Sequence, residues 1–243
     1  MRIALAHGFT QTARSWEVVA PALQRHLGAS AELAAVDLPG HGTASDVRAE
    51  LWGCADHLVA HGGEAIYIGY SMGGRVALHA ALAHPTAVQG LVLIGATPGI
   101  DDEDERFARR AADRGLATRI EEIGVDAFID EWLALPLFAG LSADAAMRDD
   151  RRRNRAPDLA SSLRLTGTGT QSPLWSRLAD IDAPTLVIVG TNDEKFTAIG
   201  ERMCAGLPAA ELVMVDDAGH SAHLEQPART AAAIGEWIAR VSR

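Results

Sequence analysis

A serine stands between two glycines in the segment Gly69-Tyr70-Ser71-Met72-Gly73, which fits the pattern G-x-S-x-G. The apolar run before it predicts a buried strand, and the stretch 76–82 after it predicts a helix. Where a strand turns sharply into a helix in this way, the serine hydroxyl is raised to the top of the turn. Glycines are needed on both sides because a side chain there would clash as the backbone folds back. Ser71 is therefore predicted to be a nucleophile or a base.

A serine hydroxyl is weak in either role until an imidazole takes its proton and a carboxylate orients that imidazole. After a G-x-S-x-G elbow, the expected chain order is serine, acid and then histidine. His220 lies in the loop after the last predicted strand, which favours it as the base over His223. Asp193 follows the end of another predicted strand and is favoured as the acid over Glu194. The spacing of the two histidines also suits metal ligands, but no third ligand is nearby, so no metal is predicted.

An oxyanion formed beside this serine would need two backbone N–H donors. One is expected from Met72, the residue after the serine, whose amide also opens the following helix. The second is expected from Phe9, in the turn His7-Gly8-Phe9 that follows the first predicted strand. The alternative for Phe9 is that its side chain simply packs and its amide is an ordinary one.

The elements that must position these residues follow an α/β pattern. Short apolar strands alternate with helices, which is typical of a parallel sheet buried on both faces. Strands are predicted at 3–6, 33–36, 66–69, 91–94, 185–189 and 212–215, with helices at 16–27 and 46–59. The alternation breaks in the segment 100–178, which contains no convincing strand. We therefore predict a core of residues 1–99 and 179–243, and a helical cap, residues 100–178, over the carboxyl ends of the strands.

Composition narrows the class of protein. The 243 residues carry a net charge of −10, which opposes binding to nucleic acid. Two cysteines are too few for a disulfide framework and fit a reducing compartment. No apolar run approaches the length of a membrane span, and a strand is predicted so early that no signal peptide is expected. These features predict a cytoplasmic protein without a membrane or nucleic-acid partner, either a monomer or a homodimer.

Arg75 adds information about the substrate. It lies four residues after Ser71 on the same helix face, in an otherwise apolar helix. A guanidinium there is costly unless an anion meets it. That anion is either a local carboxylate in a salt bridge or a carboxylate of the substrate. The cap holds many further arginines, and periodicity alone does not show which of them face the site.

Taken together, the turn at Phe9, the elbow at Ser71, Asp193 and His220 make the chain resemble an α/β-hydrolase over nearly its whole length. That resemblance implies the fold, a mostly parallel sheet with helices on both faces. It does not by itself imply a substrate, because one fold supports many reactions.

A narrower resemblance is to the 2-succinyl-6-hydroxy-2,4-cyclohexadiene-1-carboxylate (SHCHC) synthases of menaquinone biosynthesis. It rests on residues 70–77, 98–99, 105–110, 136–138, 167–169 and 193–196. The resemblance implies a lyase that eliminates pyruvate from an enolpyruvyl cyclohexene carboxylate, with no cofactor. It implies that Arg75, Arg109 and Arg151 meet the carboxylates of a small anionic substrate, although a small shift in the arginine run would substitute Arg152 or Arg153. Other pocket positions implied by the resemblance are Tyr70, Trp132 and Phe138.

In the reaction that this resemblance implies, Ser71 acts as a base on a ring C–H and forms no acyl-enzyme. The first alternative is a serine hydrolase, either a carboxylesterase or a C–C bond hydrolase, acting on small carboxylated substrates. A second alternative is a ligand-binding protein of the same fold without catalysis, which the complete set Ser71, Asp193 and His220 disfavours.

Overall fold

The computed structural model describes residues 1–242. Its centre is one six-stranded sheet in the order β2-β1-β3-β4-β5-β6, with every neighbouring pair parallel. The strands are β1 Arg2–Ala6, β2 Glu32–Val36, β3 Ala65–Tyr70, β4 Val88–Ile94, β5 Thr185–Gly190 and β6 Ala210–Val215. Because all strands are parallel, the loops after β1, β3, β5 and β6 open at one edge of the sheet. The predicted α/β-hydrolase fold is confirmed.

Helices cover both faces of the sheet and fill the segment between β4 and β5. They are α1 Ala20–Leu27, α2 Leu51–Gly62, α3 Met72–Ala83, α4 Glu103–Leu133, α5 Arg148–Arg151, α6 Ala156–Thr166, α7 Glu194–Gly206, α8 Ala222–Glu225 and α9 Pro227–Val241. There are also short 3₁₀ helices at Ala13–Val18, Gly42–Ala44, Pro136–Phe138 and Trp175–Asp180. The long helix α4 is kinked at Gly124, whose φ is 77°. No helix within residues 1–242 is long and apolar enough to cross a membrane.

Successive side chains of each strand point to opposite faces, so the sheet divides the core into two layers. In β1, for example, Ala4 and Ala6 belong to one buried cluster, whereas Ile3 and Leu5 belong to the other. A third cluster lies within the cap and includes Phe128 of α4. The cap therefore has its own apolar interior, and the site lies where that interior meets the strand ends.

Two helix boundaries predicted from the sequence are wrong. The predicted helix 16–27 is the end of a 3₁₀ helix, Ala13–Val18, followed by α1, because Pro21 has no backbone N–H and must lie in a first helical turn. The predicted helix 46–59 begins only at Leu51. The guanidinium of Arg48 donates to the carbonyls of Ser45 and Val47, which takes two acceptors that a continuous helix would use.

Candidate active site

The elbow serine is a single residue between β3 and α3. Ser71 has φ 49° and ψ −107°, a conformation that a residue with a side chain seldom adopts. Its N–H donates to the carbonyl of Ile94 at 2.8 Å, which holds the turn against the neighbouring strand. A Cβ at Gly69 would lie 2.4 Å from the carbonyl oxygen of Gly73, and one at Gly73 would lie 2.1 Å from that of Ala6. The turn therefore has no room for side chains at the two glycine positions.

His220 and Asp193 meet Ser71 in the arrangement predicted. The Nε2 of His220 lies 3.2 Å from the Oγ of Ser71, and its Nδ1 lies 3.0 Å from Oδ2 of Asp193. The other oxygen of Asp193 accepts the N–H of Phe196 at 3.2 Å, where Asp193 caps α7. A proton on Nδ1, directed at the carboxylate, leaves Nε2 free to accept the proton of the serine hydroxyl. These three side chains can activate the serine oxygen.

His223, the alternative base, points elsewhere. Its ring lies 4.4 Å from that of Tyr70 and 4.9 Å from that of Trp16, measured between ring centres. Burial lowers the pKa of His223 to about 3, so the ring is neutral at ordinary pH. It packs beneath the site, whereas His220 contacts the serine.

The two expected oxyanion donors are the amides of Phe9 and Met72. A turn from Gly8 to Gln11 carries Phe9, closed by a hydrogen bond of 3.1 Å from the N–H of Gln11 to the carbonyl of Gly8. The side chain of Gln11 accepts the N–H of Gly8 at 2.9 Å and braces the same turn. Within residues 1–242, neither the Phe9 nor the Met72 amide donates a hydrogen bond. Both amides are therefore available to a developing anion, and that of Met72 lies at the positive end of α3.

One residue that contacts the histidine loop was not predicted from the sequence. Glu225, at the end of α8, accepts the N–H of Gly219 at 2.7 Å and the N–H of Ser221 at 2.9 Å. These two amides flank His220, so a single carboxylate holds the loop on both sides of the imidazole. A carboxylate five residues after a proposed base is the only sequence signal for this role, and by itself it is weak.

We expect Glu225→Gln to lower kcat for the reaction that depends on Ser71, while leaving KM for its substrate nearly unchanged. The amide keeps one acceptor oxygen but turns an NH₂ group toward the second backbone N–H, so the loop loses one hydrogen bond. An unsatisfied buried N–H costs about 1–3 kcal/mol, which is enough to displace the loop. Because general-base catalysis depends on contact between His220 and the serine, we expect kcat to fall roughly tenfold or more. Steady-state kinetics check this, with Glu236→Gln, an exposed change on α9, as the control. Unchanged kcat with lowered thermal stability would mean that Glu225 only anchors the loop.

A cavity lies beside Ser71, and every predicted pocket residue lines it. Trp132 and Phe138 from the cap form its apolar wall, with their ring centres 5.6 Å apart. The hydroxyl of Tyr70 lies 2.6 Å from the Oγ of Ser221 and is buried, so the hydroxyl is already bonded within the protein. Burial raises the pKa of Tyr70 to about 12, which keeps the phenol neutral.

Arg75 reaches the cavity without a carboxylate partner. It is 6% exposed, and its Nη1 donates to the carbonyl of Thr166 at 2.6 Å and to Oε1 of Gln171 at 3.3 Å. No salt bridge to Arg75 occurs within residues 1–242, so the structural ion pair considered above is absent. Burial, reinforced by the nearby charge of Arg109, lowers the pKa of Arg75 to about 10. A substrate anion would relieve this unfavourable desolvation.

The structure distinguishes the cap arginines from one another. Arg151 is 1% exposed and lines the cavity, with Nε donating to the carbonyl of Ala146 at 2.8 Å. Its Nη2 has no hydrogen-bond partner within the described chain, and burial lowers its pKa to about 10. Arg152 turns away and pairs with Asp130, while Arg153 is exposed.

Arg109 lines the cavity but is partly neutralised. Its Nε donates to Oδ1 of Asp113 at 2.7 Å, and its side chain is 41% exposed. It lies close enough to Arg75 to lower the pKa of that guanidinium. The site thus contains two buried guanidiniums that pair with no carboxylate of residues 1–242, and a third at its margin.

The fold and this site define a class of protein. A family model described as the alpha/beta hydrolase family matches residues 3–233, and the chain belongs to that family. It is 37% identical to a Bacillus subtilis protein provisionally named 2-succinyl-6-hydroxy-2,4-cyclohexadiene-1-carboxylate synthase, over 97% of this chain and 89% of that one. A protein of Klebsiella pneumoniae with the same name is 31% identical over 96% and 92%. The structure of MenH from S. aureus matches with a TM-score of 0.90 at 27% identity, covering 100% and 95%. Both resemblances seen in the sequence are confirmed.

Proposed function

We propose that this protein is an SHCHC synthase, a lyase of menaquinone biosynthesis that eliminates pyruvate from an enolpyruvyl cyclohexene carboxylate. One observation carries the proposal beyond the fold. Arg75 and Arg151 are buried beside Ser71, and neither is paired with a carboxylate of the described chain. Buried guanidiniums of this kind are stabilised by a ligand that carries several carboxylates, and a simple ester does not supply them.

In the proposed reaction, His220 takes the proton of Ser71 while Asp193 orients the imidazole. The serine oxygen then removes a proton from a ring carbon of the substrate, and the electron pair left behind is delocalised onto an enolate-like oxygen. The amides of Phe9 and Met72 would stabilise that oxygen. The electrons return to expel the enolpyruvyl oxygen, and the C–O bond breaks. The departing enolate takes up a proton to become pyruvate, and His220 gives up the proton that it took from Ser71, so the number of protons is conserved. Atoms balance without a cofactor or a metal.

The positive charge of the arginines at the site must attract the anionic substrate against the repulsion of the negative net charge of the protein. The net charge of −10 repels an anion at long range. At physiological ionic strength, that repulsion is screened beyond about 8 Å, whereas a buried guanidinium is screened much less. We further propose that the enzyme works in the cytoplasm, and the sequence leaves a monomer and a homodimer as the expected states.

We expect purified protein to accelerate pyruvate release from the enolpyruvyl precursor well above the rate in buffer. A coupled lactate dehydrogenase assay follows the pyruvate, and Ser71→Ala supplies the matched inactive protein. No acceleration would show that the proposal is wrong. If an aryl ester of a dicarboxylic acid were hydrolysed rapidly while the precursor remained, the protein would instead be a serine hydrolase.

A further inference from the structure

The turn that carries the Phe9 amide has an unusual residue at its third position. Thr10 is fully buried and has φ 70°. In a turn closed between residues i and i+3, a positive φ at i+2 normally calls for glycine or asparagine. A β-branched side chain in this conformation persists only where its surroundings hold it.

The cap supplies those surroundings. The amide Nδ2 of Asn154 donates to the carbonyl of Thr10 at 2.7 Å, and Nη1 of Arg151 donates to the Thr10 hydroxyl. Two residues further on, the hydroxyl of Thr12 donates to the Asp150 carboxylate, with oxygen distances of 2.8 and 2.9 Å. Three side chains within five residues of the cap therefore hold the turn after β1.

Both polar atoms of the buried Asn154 side chain are used in hydrogen bonds to the backbone. It is 3% exposed, and its Nδ2 also donates to the carbonyl of Arg151 at 3.1 Å. Its Oδ1 accepts the N–H of Gly42 at 3.0 Å, in the loop after β2. Asn154 does not line the cavity, so its influence on the reaction must pass through the backbone that it holds.

We propose that the cap segment Asp150 to Asn154 sets the geometry of the oxyanion hole, with Asn154 and Thr10 as positioning residues for the Phe9 amide. Arg151 contributes to the oxyanion hole and to the cavity, because Nη1 of its guanidinium donates to Thr10 while Nη2 lies beside the cavity with no partner in the described part of the chain. If the function proposed above holds, Arg151 ties the carboxylate of the substrate to the donor that stabilises the reacting oxygen. The catalytic core then acquires its second donor only when the cap is in place.

The first test uses a probe that does not depend on the physiological substrate. Phosphonylation of Ser71 by a fluorophosphonate develops negative charge on the phosphoryl oxygen, which the oxyanion hole stabilises. Loss of one oxyanion donor costs about 100- to 1,000-fold in rate where it has been measured. Partial misplacement should cost less, so we expect Asn154→Ala to slow labelling at least tenfold.

A matched pair at Thr10 separates the hydroxyl contact from folding. Thr10→Ser keeps the group that Arg151 holds and should label at close to the wild-type rate. Thr10→Val keeps the branched shape but loses the hydroxyl, and should label several-fold more slowly. Thr118→Val, an exposed change on α4, controls for the substitution itself.

Steady-state pyruvate release supplies the second readout. We expect Asn154→Ala to lower kcat far more than it raises KM, because the guanidiniums at the cavity remain.

Thr10→Gly in the Asn154→Ala background should restore part of the labelling rate, since glycine adopts a positive φ without support. Wild-type labelling by both Asn154→Ala and Thr10→Val would overturn the coupling, as would a wild-type serine that does not label. If wild-type protein labels but releases no pyruvate, the proposed function fails and the labelling series still decides the coupling.

Discussion

Replacing Ser71 with alanine is expected to lower kcat for pyruvate release by about 1,000-fold or more, because the base that we propose for the ring proton is gone. Binding should survive, since the arginines that we propose as partners of the carboxylates are untouched. The measurement is single-turnover pyruvate release at saturating precursor, together with the dissociation constant from calorimetry. A large loss of rate with an unchanged dissociation constant is the expected pair of results.

Ser30→Ala is the matched control for this variant. Ser30 is exposed and lies just before β2, at the end of the sheet away from the site. Mass spectrometry of the wild-type protein during turnover adds a second criterion. An acyl adduct on Ser71 formed from the precursor would contradict the role of a base. A Ser71→Ala variant that keeps more than about a tenth of the rate would do so too, because a general base contributes about 100-fold or more.

Arg75→Met is expected to lower kcat/KM for the anionic precursor at least about 100-fold, because losing one partner of a buried charge pair costs roughly 3–5 kcal/mol. Any slow hydrolysis of a neutral aryl ester at Ser71 should change little in this variant, because such an ester carries no carboxylate for Arg75 to bind. The thermal midpoint should change little. In the free protein this guanidinium is buried without a carboxylate of residues 1–242, so methionine removes an unfavourable desolvation, and this gain offsets the loss of the hydrogen bonds to Thr166 and Gln171.

The size of the stability change distinguishes an arginine that binds substrate from one that holds the fold. If Arg75 were only structural, the Arg75→Met variant would lose activity and thermal stability together. Its activity would then fall equally with the anionic precursor and with the neutral ester. Arg114→Met on the exposed face of α4 is the control, because it removes the same charge from the cap surface. Loss of more than about 3 kcal/mol of unfolding free energy in Arg75→Met would contradict the assignment, since that exceeds the usual effect of a hydrogen bond from a charged group.

The parts of the site that sequence predicts well depend on short-range signals. Ser71 can be recognised from the glycines two residues away on each side, because a Cβ added at either position would collide with the backbone. Asp193 and His220 each follow a strand directly, and in a parallel sheet such loops meet at one edge. Their assignment therefore needed only the strand pattern and the order along the chain.

The cap is harder to predict because its geometry is set by packing between segments far apart in sequence. Five residues, from Arg151 to Arg155, include four arginines with the same intrinsic preferences. Arg151 is buried because Thr10 and Ala146 accept its donors, whereas Arg152 finds Asp130 on α4. No pattern within the run encodes these partners. For the same reason, the sequence does not predict the role of Asn154. Glu225 contacts amides only four and six residues away, but a single carboxylate after a loop is too weak a signal to predict those contacts.

The contact between the elbow and β1 has a consequence for how new chemistry can arise on this scaffold. Gly73 lies so close to the carbonyl of Ala6 that a single added carbon would collide with it. The elbow and the end of β1 therefore keep one spacing, and mutation at Gly73 has almost no freedom to adjust it. Variation that alters substrate choice must accumulate instead in the cap, where an arginine can be exchanged without moving the serine. Among related enzymes we therefore expect the cap sequence to vary while the residues at the ends of the central strands stay nearly constant.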